Sequence, residues 1–354
     1  MKKRKKQQTK NKLFDKEFLI IVWIIICFFI AAFSFVWIMV RIEILNTQPS
    51  GVIVEFEDGE GGRVLSSDEI KSPLIAVIID NYIHSRPVIG LSKALFVWEA
   101  PVEAGITRFM AIYPLNKNEE IEKIGPVRSL RPYFIDWAAE LGAIIIHCGG
   151  SPDALDKIQT DYTRHIDQFY NFNYFWRTWK RYAPHNVLTS TENLREAVDD
   201  MDYKTSDFDS WKFKEGADIL ERPKSQEILV DFWLPEHKIK WKYNLRRNDY
   251  ERMQGGEVHK DEDGNEIRAK NIVIQFTDVE IIDAVGRREI RTMGEGIAGV
   301  FMDGKRINGS WKKPSQEART RFYNEDGDEI FFNSGTTWIE VVPTDIHIEV
   351  DSLN

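Results

Sequence analysis

The sequence predicts an α/β layered domain over residues 73–215 and a β-rich domain over residues 216–350, preceded by one transmembrane helix. Three observations carry this reading. An uncharged apolar run of 23 residues lies near the N-terminus, short apolar runs alternate with amphipathic stretches in the first half, and strand-like runs broken by Asp-Gly turns fill the second. At 354 residues and 43% hydrophobic, the chain can bury more than one core, which argues against disorder and against a small disulfide-stapled scaffold.

Residues 1–17 hold eight Lys or Arg against Asp15 and Glu17, so this tail carries +6 of a formal −9 and leaves −15 on the remainder. It precedes FLIIVWIIICFFIAAFSFVWIMV, residues 18–40. At ~1.5 Å per residue such a helix crosses a hydrocarbon core of roughly 30 Å. Trp23 and Trp37 lie toward its ends, where indoles favour the membrane interface. A cleaved signal peptide fits less well, because the run exceeds the usual apolar region and no small-x-small site follows before Arg41. Cys27 sits mid-span behind Ile24, Ile25 and Ile26, which argues against lipoprotein processing. The positive-inside rule keeps the basic tail in the cytoplasm and places the chain from residue 41 outside. The expectation is a single-pass plasma-membrane protein, held in the lipid bilayer by residues 18–40, with most of its mass extracytoplasmic. Residues 41–72 mix Gly, Ser, Pro and acids without periodicity and read as a tether. With Cys27 in the membrane and Cys148 far beyond it, no intrachain disulfide is expected, and a thiolate metal site lacks a second ligand.

In the first domain LIAVIID (74–80), ALFVWEA (94–100), TRFMAIY (107–113) and GAIIIHC (142–148) have strand length and composition. Their continuous apolar character predicts strands covered on both faces. RPYFIDWAAEL (131–141) and SPDALDKIQ (151–159) read as helices with Pro in the first turn, and TSTENLREAVDDM (189–201) as a helix whose Thr189 and Glu192 have capping-box spacing. In the second domain DEDGNEI, FMDGKRI and NEDGDEI are hairpin turns, since Gly supplies the positive φ that a tight turn needs. Calcium binding is rejected: aligning Gly264 with the sixth position of an EF-hand loop puts His259 first and Lys270 twelfth.

Polar residues close the apolar runs: Asp80 and Asn81 after LIAVII, Glu99 after LFVW, Arg128 after KIGPV, His147 and Cys148 after AIII. Ligands of α/β sheets sit outside the carboxyl ends of strands. Arg128 and Arg131, with Arg108 as third member, therefore form a candidate anion site for phosphate, pyrophosphate or carboxylate, because each guanidinium can donate two parallel hydrogen bonds. The alternative is that these arginines pair internally with Asp80, Glu99, Glu103 or Asp136. His147 is a candidate general base, with Asp80 or Glu99 to orient it or hold a metal, and a purely structural His147 is the alternative. The turn in HCGGSPDAL lacks a Walker lysine and a full dinucleotide fingerprint, and reads as a tight turn with an ordinary cap. FYNFNYFWRTWKRY (169–182) holds eight aromatics interleaved with Arg177, Lys180 and Arg181. Domain packing is its first reading, and contact with glycan or lipid headgroups its second. The acidic balance and the outside location argue against nucleic acid. No metal site and no cofactor is assigned.

PLIAVIIDNYIHSRPVIGLSKALFVWEAPVEAGITRFMAIY, KIGPVRSLRPYFIDWAAELGAIIIHCGGSPDAL and RYAPHNVLTS resemble the first domain of the YerB family of bacterial envelope proteins. YERMQGGEVHKDEDGNEIRAKNIVIQF and GKRINGSWKKPSQEARTRFYNEDGDEIFFNSGTTWIEVVP resemble its C-terminal domain. The resemblance implies an envelope location and two domains of unknown function, with the transmembrane run standing where the family usually has a lipidated cysteine. GLSKALFVW, GPVRS and HCGGSPDAL are also similar, in their order, to LytR-CpsA-Psr proteins, which transfer glycopolymers from polyprenyl-pyrophosphate carriers. That likeness implies phosphate contacts from Arg128 and then Arg131, but LSK stands where those proteins carry an acidic metal ligand. Two functions stay open: a non-catalytic module that binds a cell-wall polymer, a lipid-linked phosphate or an envelope protein, and an envelope enzyme acting on a polyprenyl-(pyro)phosphate-linked glycopolymer. The chain yields no complete catalytic set, which favours the first.

Overall fold

The computed structural model describes Ile21, Trp23, Phe28 and residues 72–353, apart from 117–119, 162 and 204–207. The expected anchor, residues 18–40, and tether, residues 41–72, lie almost wholly outside these residues. Among the described residues no helix is long and apolar enough to cross a membrane. The chain divides into two units, residues 1–52 and 53–354, and the fold below is that of the second.

That unit is β-rich. Its five leading strands are β1 (Leu74–Asp80), β2 (Phe96–Pro101), β3 (Thr107–Pro114), β4 (Ile144–His147) and β5 (His165–Asp167). They complete a mixed ten-stranded sheet that begins with Arg321–Asn324, Lys305–Lys313, Gly294–Met302, Asn271–Thr277 and Thr337–Pro343, and continues β2, β3, β1, β4, β5. Strands from both halves of the sequence are thus hydrogen-bonded neighbours. At the seam β2 runs parallel to Thr337–Pro343, with Phe96 opposite Thr337 and Glu99 opposite Glu340.

All seven residues of β1 are buried, as its continuous apolar run predicts. Ile75, Val77 and Ile79 point into one core and Leu74, Ala76 and Ile78 into the other. The first core is closed by a second sheet, in which Ser225–Asp231 and Lys238–Asn244 alternate buried and half-exposed positions and contribute Ile228, Val230, Ile239 and Trp241. The other core is closed in part by the first helix, α1 (Pro132–Ala139), through Phe134, Ile135 and Trp137. Burying each such side chain contributes roughly 1.5–3 kcal/mol. The α/β layering expected of the first half is therefore only partly realised, since one of the two covering layers is largely sheet. Among the described residues of this unit the α-helices are α1, α2 (Pro152–Thr160) and α3 (Thr191–Asp200), beside short 3-10 turns.

Ser151 caps α2 by accepting from the Ala154 N–H at 3.3 Å. α3 begins one residue later than the capping-box spacing suggests. Thr189 is still held in a bridge with Ile124, whose N–H donates to its carbonyl at 2.8 Å, so Ser190 becomes the cap and accepts from the Asn193 N–H. The Asp-Gly turns form as expected, with φ of +87° at Gly264, +69° at Gly304 and +86° at Gly327. Asp261, in the first of them, accepts from the N–H groups of Leu91 and Ser92 at 3.2 and 2.8 Å, a structural use of a carboxylate.

Candidate functional site

The segment holding Arg128 crosses the carboxyl ends of β1 and β4. The Arg128 N–H donates to the Ile78 carbonyl at 2.8 Å, and the Arg128 carbonyl accepts from the Cys148 N–H at 3.1 Å. Residues 126–130 are thereby pinned across the two strands, and the guanidinium of Arg128 is aimed from their ends.

Asp80, at the end of β1, organises what surrounds it. Its Oδ2 lies 2.6 Å from His185 Nδ1 and 3.2 Å from Arg128 Nε, while Oδ1 accepts from the Tyr82 N–H at 3.1 Å. Burial pushes the Asp80 carboxyl up, but the His185 hydrogen bond and the charges of Arg108 and Arg128 outweigh it and hold the group below its ordinary value. The Tyr82 ring stacks on His185 with centroids 5.2 Å apart.

The three arginines of the expected anion site have different environments. Arg108, opposite Asp80 in the β1–β3 register, is 3% exposed and donates to the Ser129 carbonyl at 2.6 Å; burial, then the Arg131 charge, pushes it down to about 10. Arg131 grips Glu103 with two bonds of 2.6 and 2.7 Å. Arg131 is thus paired with one of the carboxylates that the internal-pairing alternative names, while Arg108 is held by a backbone carbonyl. Arg128 is different. Its side chain is 25% exposed, and it meets Asp80, another of the named carboxylates, through Nε at 3.2 Å, a contact outside hydrogen-bond geometry. It lines a cavity of about 330 Å³ with Ser129, Cys148, Gly149, Asp167, Phe169 and Arg177.

Arg177 is the second cation of that cavity. It donates to two neutral amides, Asn186 Oδ1 at 2.8 Å and Gln168 Oε1 at 3.1 Å, and among the described residues no carboxylate lies within ion-pair distance of it. Its orientation is fixed while its charge stays uncompensated. Asp167 Oδ1 is occupied by the N–H groups of Gly149 and Phe169 at 2.9 and 3.1 Å, so it shapes the cavity wall. A groove of similar volume on the outer face of the second sheet, lined by Glu227, Lys238 and Lys240, holds cations that are already paired: Lys240 with Glu227 at 2.9 Å and Lys238 with Asp231 at 3.1 Å.

His147 and Glu99 do not line the Arg128 cavity. His147 is fully buried, its Nδ1 donating to the Gly149 carbonyl at 2.9 Å and its Nε2 accepting from His165 Nδ1 at 3.0 Å. Burial is the main reason its pKa falls to about 4, so the ring is neutral at neutral pH. Glu99 lies in a closed polar network instead. It accepts from Thr107 Oγ1 and Asn81 at one oxygen and from Arg252 at the other. Among the described residues no cluster of three or more His, Cys, Asp or Glu side chains could hold a metal ion.

Residues 61–204 match the N-terminal domain, and residues 228–339 the C-terminal domain, of a protein family of unknown function, DUF3048. YerB of Bacillus subtilis strain 168, described as a candidate lipoprotein, is 31% identical over 275 residues, which cover 76% of this chain and 81% of that protein. The chain belongs to the YerB family. The crystal structure of the YerB protein from Bacillus subtilis superposes with a TM-score of 0.72 at 28% identity, covering 81% of this chain and 96% of the other.

In this YerB-family chain, sequence reasoning reached Asp80 and Arg128 but missed His185, Asp167 and Arg177. His185 lies in RYAPHNVLTS, a loop with no periodicity to mark it. Asp167 ends a strand of three residues, too short to read. Arg177 was visible only as one cation of the aromatic run. That run is mostly not packed: Phe169, Tyr170, Phe172, Trp179 and Tyr182 are exposed and only Phe175 is buried.

Proposed function

We propose that this YerB-family chain is a non-catalytic, membrane-tethered module on the outer side of the plasma membrane that binds an anionic ligand of the cell envelope at Arg128 and Arg177. The basic tail and the apolar run 18–40 support the tether, and the description of the Bacillus relative as a candidate lipoprotein supports an envelope location by a different anchor. One observation carries the site. A cation held by neutral amides shares a cavity of about 330 Å³ with a second, partly exposed cation whose contact with Asp80 is made through Nε. Two guanidinium groups so placed can each offer paired donors to a phosphate or carboxylate. Arg108 and Arg131 take part indirectly: they outnumber the nearby acids together with Arg128 and Arg177, and leave the neighbourhood of Asp80, Glu103 and Asp167 net positive. The envelope-enzyme alternative draws on the Asp80–His185 hydrogen bond, which resembles the carboxylate-oriented imidazole of a general base.

The test is the melting temperature of the full-length chain in detergent, with and without pyrophosphate. Binding to the native state raises stability by about 2.7 kcal/mol at a hundred times Kd. The parent is expected to shift upward and Arg177→Ala to lose the shift. A parent that does not respond, or an Arg177→Ala variant that responds equally, removes the assignment.

A further inference from the structure

We infer that the Arg128 cavity seats a sugar ring beside its anion, so that its ligand is a phosphorylated saccharide rather than a free inorganic anion. The inference rests on the anion reading of Arg128 and Arg177, and concerns what lies next to the charge. Phe169 and Tyr170 line the same cavity and are 63% and 83% exposed. Large aromatic surface left in water forgoes a stabilising burial, so two adjacent rings at a cavity mouth mark a surface that a ligand covers.

The rings are positioned by the same residues that build the cavity. The Phe169 N–H is held by Asp167 Oδ1 at 3.1 Å and the Tyr170 N–H donates to the Asp167 carbonyl at 3.1 Å, so a buried aspartate fixes the turn that presents both. Gly149 lies under the Phe169 ring: at its φ of +63° a Cβ would come 2.9 Å from Cε2. That close approach seats the ring directly on the backbone of the cavity wall.

The chemistry of the wall selects among ligands. The C–H face of a pyranose is weakly positive and packs on the negative face of an aromatic ring, while its hydroxyls need hydrogen-bonding neighbours. Ser129, Asp167 and Arg177 supply polar atoms within the cavity. A volume of about 330 Å³ is at the lower end of small-molecule sites and suits one ring with its phosphate, with an open mouth through which a longer chain can leave.

The experiment is isothermal titration of the full-length chain in detergent with inorganic phosphate, glucose 1-phosphate and methyl glucoside. Glucose 1-phosphate is expected to bind roughly ten-fold or more tighter than phosphate, the scale of one aromatic stacking contact. Tyr170→Ala and Phe169→Ala should each erase most of that margin while keeping phosphate affinity, and Arg177→Ala should weaken both anions. Equal affinities for the two anions, or a margin that survives both aromatic substitutions, overturns the sugar seat and leaves the anion site standing. No binding of either anion overturns both.

Discussion

Glu99 and Glu340 lie directly opposite each other on parallel neighbouring strands, and both are sealed from solvent at the seam of the central sheet. Two buried carboxylates this close cannot both be charged. Arg252 settles which one is, because its guanidinium bonds Glu99 and stacks against Trp338, with 4.8 Å from its carbon to the ring centroid. Burial, then the Glu99 charge, pushes Glu340 well above its ordinary value, so it stays protonated while accepting from Trp241 Nε1 at 2.9 Å.

This asymmetry predicts unequal mutants. Glu340→Gln keeps shape and neutrality and should change unfolding free energy by less than about 1 kcal/mol. Arg252→Met removes the buried counter-ion of Glu99, which should cost about 3–5 kcal/mol. Urea unfolding of the two variants measures both, and equal losses would contradict the assigned protonation states.

Acid should weaken the fold before ordinary carboxylates titrate. Burial first, then the charges of Arg86 and Arg252, pushes the His237 pKa down to about 3. An unfolded histidine takes its proton near pH 6.5, so between about 6.5 and about 3 the unfolded chain binds more protons and stability falls as pH falls. His147, lowered to about 4, adds to the same window, whereas the lowered Asp80 contributes a loss only below about pH 4. Urea midpoints from pH 7.5 to 4.5 should decline for the parent and decline less for His237→Gln, relative to each protein's own value at pH 7.5. Identical slopes would place the proton uptake elsewhere.

Glu140, at the end of α1, is fully buried with two cations of the second half: Lys313 at 3.1 Å and Arg319, which also stacks on Trp211 at 3.6 Å. It further accepts from the Thr320 N–H and hydroxyl. Glu140→Gln strands two buried positive charges and should cost about 3–5 kcal/mol, read as a lowered thermal midpoint. A loss under about 1 kcal/mol would mean that the cluster relaxes into solvent.

Much of the local structure was legible. The unbroken apolar residues of β1 announced a strand covered on both faces, Pro132 and Pro152 opened helices, and the Asp-Gly turns fell where positive φ was needed. The displaced cap of α3 was not legible, because it depends on the bridge between Ile124 and Thr189, a contact between segments far apart in the chain. The same limit hid the pairing of β2 with Thr337–Pro343, since an apolar strand advertises that it will be buried and not which strand will lie beside it.

Apolar runs, prolines and Asp-Gly pairs by themselves determined strands such as β1, the starts of α1 and α2 and the turns, because each depends on neighbours within a few residues, and the family was legible as a resemblance of whole motifs. Which arginine lines a cavity was decided only by tertiary structure. Arg108, Arg128 and Arg131 carry identical side chains, and the difference arises because Arg108 is sealed over Ser129 and Glu103 neutralises Arg131, while Arg128 opens onto a cavity shared with Arg177. Pairing between charges is a property of distance in space, and the chain brings those distances into being only when it folds.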